Sequence, residues 1–303
     1  MWVILALAAL TAAFFWPTRA RRAKSRLARA VRAAAVPDWT AFDREIGLAL
    51  ASGERVRNQP VQDQTLGEIQ LTRAWAAHRR GDLAAAASLV SQAVRHIERA
   101  AAPDREARLA NARHLWGDIE CDRGDWNAAG EQFRAAAQNV EFGKSPDAAL
   151  FSLQRLSDAL LEQDRFDEAR EVIERCAGFE SRVIAGAVEK GQTEGGEVIS
   201  MCDPDLALAS RDFERAEELF QEKVDQWSVA AARPPEIDLT RYQFHLASAQ
   251  RALGRYGAAA RTLSLAVETA ELDFGPDHPR TQRARQKLAE AMQRTPALPA
   301  ARP

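Results

Sequence analysis

The chain is poor in the residues that cross-link, bind soft metals or build sheets. Its 303 residues include three cysteines, Cys121, Cys176 and Cys202, with no C-x-x-C pair, which excludes a disulfide framework and a cysteine-based zinc site. Free thiols buried in helices of a reducing compartment are the simplest reading. Only two tyrosines are present, and no segment alternates apolar and polar residues over a strand length, so a sheet-based fold is not expected. The five histidines form no H-E-x-x-H, and no serine stands in a G-x-S-x-G elbow. Gly143-Lys144-Ser145 resembles the end of a phosphate-binding loop, but the glycine required five residues earlier is Gln138 and no strand precedes it. Asp203-Pro204-Asp205 reads as an acidic turn capping a helix rather than a metal site. These absences predict a protein that is not an enzyme and carries no metal and no cofactor.

What is present favours helices. Apolar residues make up 46% of the chain, and many are alanine, the best intrinsic helix former. Charge is uneven. Of 41 basic and 43 acidic side chains, seven basic ones and no acid stand in residues 1–36, leaving 34 basic against 43 acidic, a net −9, in the body. An acidic body excludes nucleic acid as its partner, and a basic arm seeks an anionic one, for which phospholipid headgroups are the simplest candidate.

Residues 1–16 contain no charged side chain and would span about 24 Å as a helix, short for a hydrocarbon core of about 30 Å. Trp2 and Trp16 at its ends, with Arg19, Arg21 and Arg22 beyond, suit the two interfaces. The basic cluster follows the apolar run, the reverse of a secretory signal. The expectation is therefore a transmembrane anchor over 1–17, N-terminus outside, a basic juxtamembrane helix over 18–36 lying against membrane lipids, and the rest on the cytoplasmic side of a single-pass membrane protein. The high use of alanine and arginine points to a bacterial inner membrane.

The body repeats. Short turn signals recur at Gly81, Gly124, Asp164, Arg211 and Gly254, at spacings of 43, 40, 47 and 43 residues. Two positions after each origin stands a large apolar residue (Leu83, Trp126, Phe166, Phe213, Tyr256) and five after it an alanine (Ala86, Ala129, Ala169, Ala216, Ala259). Nine positions on lies another large apolar residue, and twelve on a small one in four of five units, Lys223 being the exception. Steps of three and four place these residues on one helix face, where small side chains let antiparallel helices approach and large ones fill the grooves beside them. Ala74, Gly117, Ser157 and Ala247, seven residues before their origins, supply the matching close approach on the preceding helix.

This pattern resembles the tetratricopeptide repeat family over roughly residues 66–294, and its longer period and the Phe274-Gly275-Pro276-Asp277-His278-Pro279 turn resemble the kinesin light chain type. The resemblance implies an all-α, right-handed solenoid of about five helix pairs plus capping helices, with a concave surface that binds a protein or peptide and no catalysis. An N-terminal capping helix and linker fill 37–65, and 295–303 is a disordered tail. The first helix of the fourth unit meets Pro204, so it starts near Asp203 and is short. Glycines at 186, 191, 195 and 196 read as a flexible connection.

In the family's architecture the first helix of each pair lines the groove. The resemblance thus assigns Leu71, Trp75, His78 and Arg79 in the first unit and Asn111, His114 and Asp118 in the second. Gln154, Arg155 and Asp158 follow in the third, and Arg241, Phe244, His245 and Arg251 in the fifth. Trp75 and Arg155 are the natural hot spots, although Trp75 is equally suited to packing on the helix over 38–52. The expected function is a membrane-anchored scaffold or adaptor for protein complexes; the alternative is a regulatory or sensory solenoid that captures a signalling peptide or small molecule.

Overall fold

The five turn signals generate the same backbone event. In the computed structural model, Gly81, Gly124 and Gly254 have φ of 79°, 81° and 72°, and Asp164 and Arg211 adopt 56° and 61°. All five origins are left-handed residues ending a helix. At each, the next residue donates its N–H to the carbonyl five back: Asp82 to Ala77, Asp125 to Glu120, Arg165 to Leu160, Asp212 to Ala207 and Arg255 to Gln250, at 2.8–3.0 Å. This is the Schellman closure, which satisfies orphan carbonyls and turns the chain. In three turns the residue after the origin is an aspartate that caps the following helix; Asp82, Asp125 and Asp212 accept from Ala85, Ala128 and Arg215 N–H groups at 3.0–3.2 Å.

The structure describes residues 18–35, 38–141, 146–189, 202–228 and 238–294. Among them the elements are thirteen α-helices. They are α1 (Thr18–Ala35), α2 (Trp39–Gly53), α3 (Gln59–Arg79), α4 (Leu83–Arg99), α5 (Arg105–Arg123), α6 (Trp126–Glu141), α7 (Pro146–Leu161), α8 (Phe166–Glu189), α9 (Asp203–Ala209), α10 (Phe213–Ser228), α11 (Leu239–Ala252), α12 (Tyr256–Phe274) and α13 (Pro279–Arg294). The chain divides into two compact units, Met1–Arg155 and Leu156–Pro303, with the boundary inside α7.

The repeat positions form the cores. All five alanines at the fifth position are fully buried, and Val90, Phe133, Ile173, Phe220 and Leu263 at the ninth are at most 2% exposed. Lys223, the exception at the twelfth position, is buried too. Gly117 shows why the preceding helix needs a small residue, because a Cβ there would lie 2.5 Å from the Phe133 ring. α9 begins at Asp203 and has seven residues, with Pro204 in its first turn, as the position of the proline requires. Gly186 belongs to the last turns of α8, so the connection expected to be flexible begins later, in residues 190–201, which lie outside the described residues, as does the expected tail at 295–303.

Two expectations at the N-terminus are corrected. No helix among the described residues is long and apolar enough to cross a membrane, so the transmembrane helix of the expected fold class is not supported, and the described residues are all-α. The segment to which that helix was assigned, 1–17 with Trp2 and Trp16, lies outside the described residues. α1 follows it and reaches 18 residues, but carries seven Lys/Arg, a composition that no bilayer interior accepts. Nor is α1 an arm apart from the body. It pairs with α2, burying Ala23, Ala30 and Ala34 against Phe42, Ile46 and Ala49, with Ile69 of α3 in the same cluster. Its cations serve the fold: Lys24 pairs with Glu68 at 3.4 Å, Arg29 with Glu45 at 2.9 Å, and Arg26 and Arg19 donate to the Leu48 and Arg55 carbonyls at 2.9 Å. The basic helix and the capping helix, expected as separate elements, pack together as a helix pair before the first repeat. The contact with lipids expected of the basic residues of α1 is not supported, because several of those cations are engaged within the fold.

Candidate functional site

The first helices of the pairs carry a charge pattern in the same register as the turns. Six residues before the origin stand Trp75, Asp118, Asp158, Asp205 and Ser248, so the three middle repeats place an aspartate on the first-helix face. Each meets an arginine from a later first helix.

In the N-terminal unit Asp118 of α5 accepts from Arg155 Nε at 2.9 Å and Nη2 at 2.7 Å. The guanidinium lies 5.7 Å from the Phe133 ring, and the His114 ring meets the same phenyl edge-on at 5.4 Å. His114 Nε2 is 3.7 Å from Asp118, and its Nδ1 is 3.5 Å from Ser152 Oγ. Burial lowers the His114 pKa and Arg155 adds to this, outweighing Asp118, so the ring is neutral at neutral pH. The side chains of Arg155, Asp118 and His114 keep 19%, 23% and 24% of their surface exposed, enough to be touched from outside.

Serine, histidine and aspartate in a row invite comparison with a hydrolytic triad, but the parts do not fit. Ser152 is 2% exposed and sits within α7, where backbone N–H groups are committed to the helix and cannot form an oxyanion hole. The two links, at 3.5 and 3.7 Å, are at or beyond hydrogen-bond length. The trio orients an arginine; it does not build a nucleophile.

The other N-terminal candidates divide. Arg79 and Asn111 are exposed, while His78 is buried and bonded at 2.7 Å to buried Asp122, tying α3 to α5. Gln154 is buried. Leu71 packs between two apolar clusters. Trp75 is half-buried, its ring 6.3 Å from Trp39 of α2, so its role as packing is directly visible.

The C-terminal unit repeats the arrangement with its parts buried. Arg241 Nε lies 2.7 and 2.8 Å from the two Asp158 oxygens, and Nη2 bonds to Asp205. His245 Nε2 is 3.1 Å from Asp158, its ring stacked 5.5 Å from Phe220. Here the side chains of Arg241, Asp158, His245 and Asp205 are only 12%, 7%, 5% and 3% exposed. Burial pushes the Asp205 carboxyl up and neighbouring Asp158 adds to this, against the pull of Arg241 and His245. Burial also works against the Arg241 charge, but the two carboxylates more than restore it and hold its pKa well above the ordinary value. Asp205 Oδ1 has no hydrogen-bond partner. Among the described residues, Asp158, Asp205 and His245 form a donor set able to hold a metal ion, with one ligand atom from each lying within 4.8 Å of the others. Arg241 already stands between the two carboxylates as their cation, so the set does not fit a metal while that arginine is in place.

Phe244 is buried in the α11–α13 core beneath Arg283 and Lys287, whose charged groups lie 5.2 and 5.3 Å from its ring. Arg251 is half-buried. Sequence reasoning missed Asp205, read as a surface cap, and Glu162, Arg283 and Lys287. The aspartate recurring six residues before three successive turns was the available signal for Asp205; nothing local marks the others, whose partners lie more than 120 residues away.

No protein-family profile matches the chain, and no curated protein matches it. Solved structures do. RapI in its apo form aligns with a TM-score of 0.56 at 8% identity, covering 90% of this chain and 98% of that one. A kinesin light chain-like protein of nearly identical TPR-like repeats from Podosopora anserina aligns with a TM-score of 0.41 at 18% identity, over 72% of this chain and 94% of that one. A point variant of it gives 0.42 and 19%, over 71% and 95%. The likeness to RapI carries the argument, and at that identity it shows the fold alone, which is of the tetratricopeptide repeat type.

Proposed function

We propose that this protein is a non-enzymatic scaffold that binds a protein or peptide partner on the first-helix face of its N-terminal unit, at Asn111, His114, Asp118 and Arg155. The observation that carries the reading is the exposure of a pre-positioned arginine. Asp118 holds the Arg155 guanidinium against Phe133 with about a fifth of its side-chain surface still outside. A side chain ordered before binding loses less entropy on association, and arginines and aromatic rings supply much of the energy of protein interfaces. His114 is neutral and offers ring nitrogens rather than charge. Asn111, exposed one turn before His114 on α5, adds an amide that both donates and accepts.

The experiment is an affinity capture comparing wild type with an Asn111→Ala, Arg155→Ala variant of unchanged helicity. Loss of specific partners with the variant is the expected result. Retention of the whole partner set rules out this face. Trp75 is not used in the test, because its packing on Trp39 makes a truncation there a stability change first.

A further inference from the structure

A helix of a packed pair ordinarily turns charged and polar residues away from its core, and α12 departs from this. Its core face is Ala259, Thr262, Leu263, Ala266 and Ala270. On the opposite side, steps of three and four residues place Gly257, Arg261, Ser264, Leu265, Glu268 and Leu272 in one stripe. Leu265 is 50% exposed and Leu272 88%, the latter the most exposed large apolar side chain among the described residues. Met292 of α13, 62% exposed, lies two turns beyond Arg285, whose bond to Glu271 joins α13 to α12. The short turn at 275–278 makes the two helices antiparallel, so Leu272 stands near that turn and Met292 at the far end of the pair.

The charges of the stripe are arranged for a copy of itself. Arg261 and Glu268 are both exposed, and neither side chain has an ion-pair or hydrogen-bond partner among the described residues. Seven residues set them about 10 Å apart along the axis. In two parallel copies Arg261 would meet Arg261; in two antiparallel copies each Arg261 faces the other copy's Glu268, twice over. That register puts Ser264 and Leu265 at the two-fold axis and Leu272 opposite Gly257. Internal packing does not demand this glycine, since a Cβ there would meet only the tip of the Arg261 side chain, at 3.9 Å, and glycine weakens a helix. Its bare backbone offers a hollow to an apolar side chain from outside. The stripe is thus complementary to itself inverted, as an isologous contact requires.

We propose that the outer face of α12 is a self-association surface, on which a second copy of the chain docks antiparallel. Arg261 of each copy pairs with Glu268 of the other, and Leu272 seats on Gly257 at both ends. One helix face per copy is a small interface, below about 1,200 Å² in total, so the dimer is reversible and forms with rising concentration. It uses none of the residues proposed above to bind a partner, so the two readings stand or fall separately.

The test is sedimentation equilibrium of the full chain at rising concentrations, up to about 500 μM, to reach the affinity of a small contact. The wild type is expected to pass from monomer to dimer mass. Arg261→Glu and Glu268→Arg each set like charges together at both contacts, and each is expected to weaken the dimer about tenfold or more. Mixing the two variants in equal amounts restores opposite charges at both contacts and is expected to recover the dimer. Leu272→Ala, which removes an apolar contact at both ends, is expected to weaken it about tenfold. All three positions are exposed, where substitutions ordinarily leave the fold intact. A wild type that stays monomeric throughout overturns the proposal. So does association that the single variants leave unchanged, which would place the contact elsewhere, the apolar residues 1–16 included. Failure of the mixture to recover the dimer overturns the antiparallel register, and the proposal with it.

Discussion

The two units assemble a charged cluster from the same parts and put it to different use. Around Phe133 the N-terminal unit gathers Asp118, Arg155 and His114; around Phe220 the C-terminal unit gathers Asp158, Arg241 and His245, with Asp205 added. In the first the ionic side chains keep about a fifth of their surface, and in the second about a tenth or less. An exposed pair contributes little to stability and is available to a partner. A buried pair is costly to break, because removing one member strands the other without water. Residue identity in the repeat therefore does not decide the role; depth does.

The sharpest way to break the comparison is to delete the two arginines in turn. Arg241→Ala leaves Asp158 and Asp205 facing each other in the interior and is expected to cost about 3–5 kcal/mol, read as a lowered denaturant midpoint reported from the C-terminal unit. Arg155→Ala, on a partly exposed pair, is expected to cost about 1 kcal/mol or less. Equal effects would erase the distinction. Next in size is Gly117→Ala, whose new methyl meets the Phe133 ring; overpacking of this kind costs about 1–3 kcal/mol, and it displaces the ring on which Arg155 and His114 rest.

Two carboxylates of the C-terminal unit give pH dependences of opposite sign. Asp205 has its folded pKa raised from 3.8, so its burial penalty is present above the raised value and is relieved as pH falls through it toward 3.8. Glu162 has its folded pKa lowered from 4.5, so its stabilisation is present above 4.5 and is lost as pH falls below that toward the folded value. In stability against pH, Asp205→Asn is expected to remove a gain on acidification, and Glu162→Gln a loss. Both variants changing the slope in the same direction would contradict these assignments.

The smallest expected effect lies in the turns. Asp164 and Arg211 take the left-handed conformation that glycine supplies in the other three repeats. Asp164→Gly is expected to stabilise by about 0.5–1 kcal/mol, by relieving a strained backbone at some cost in unfolded-state entropy, as a small rise in midpoint.

The repeat was legible in sequence because its signals are local. A left-handed turn residue, a capping aspartate just after it and an alanine five residues on fall within two helical turns, and each answers a constraint imposed by its near neighbours. Helices α1 and α2 were each legible, but their pairing was not. Their junction at 36–38 lacks the turn signal of the repeats, and the alanines and arginines of α1 suit a membrane flank as well as a packed helix, until Phe42 and Ile46 are seen to cover Ala23, Ala30 and Ala34. The first-helix register picked out Asp118 and Arg155, which meet in the N-terminal unit, and Asp158, Arg241 and His245, which meet in the C-terminal unit. The burial of Asp158 depends on α11, 83 residues away, and that of Glu162 on α13, 125 residues away, and no local pattern reports that distance. His78 illustrates the same gap, since Asp122, which buries it, belongs to the next repeat.

The most direct test of the account places a photo-crosslinking amino acid at Asn111 in one variant and at Phe244 in another, with irradiation in cells that make the protein. The account predicts partner adducts from position 111 and, from position 244, links within the chain's own α13. Partner adducts from 244 with none from 111 would contradict it, and would move the interaction surface to the C-terminal unit.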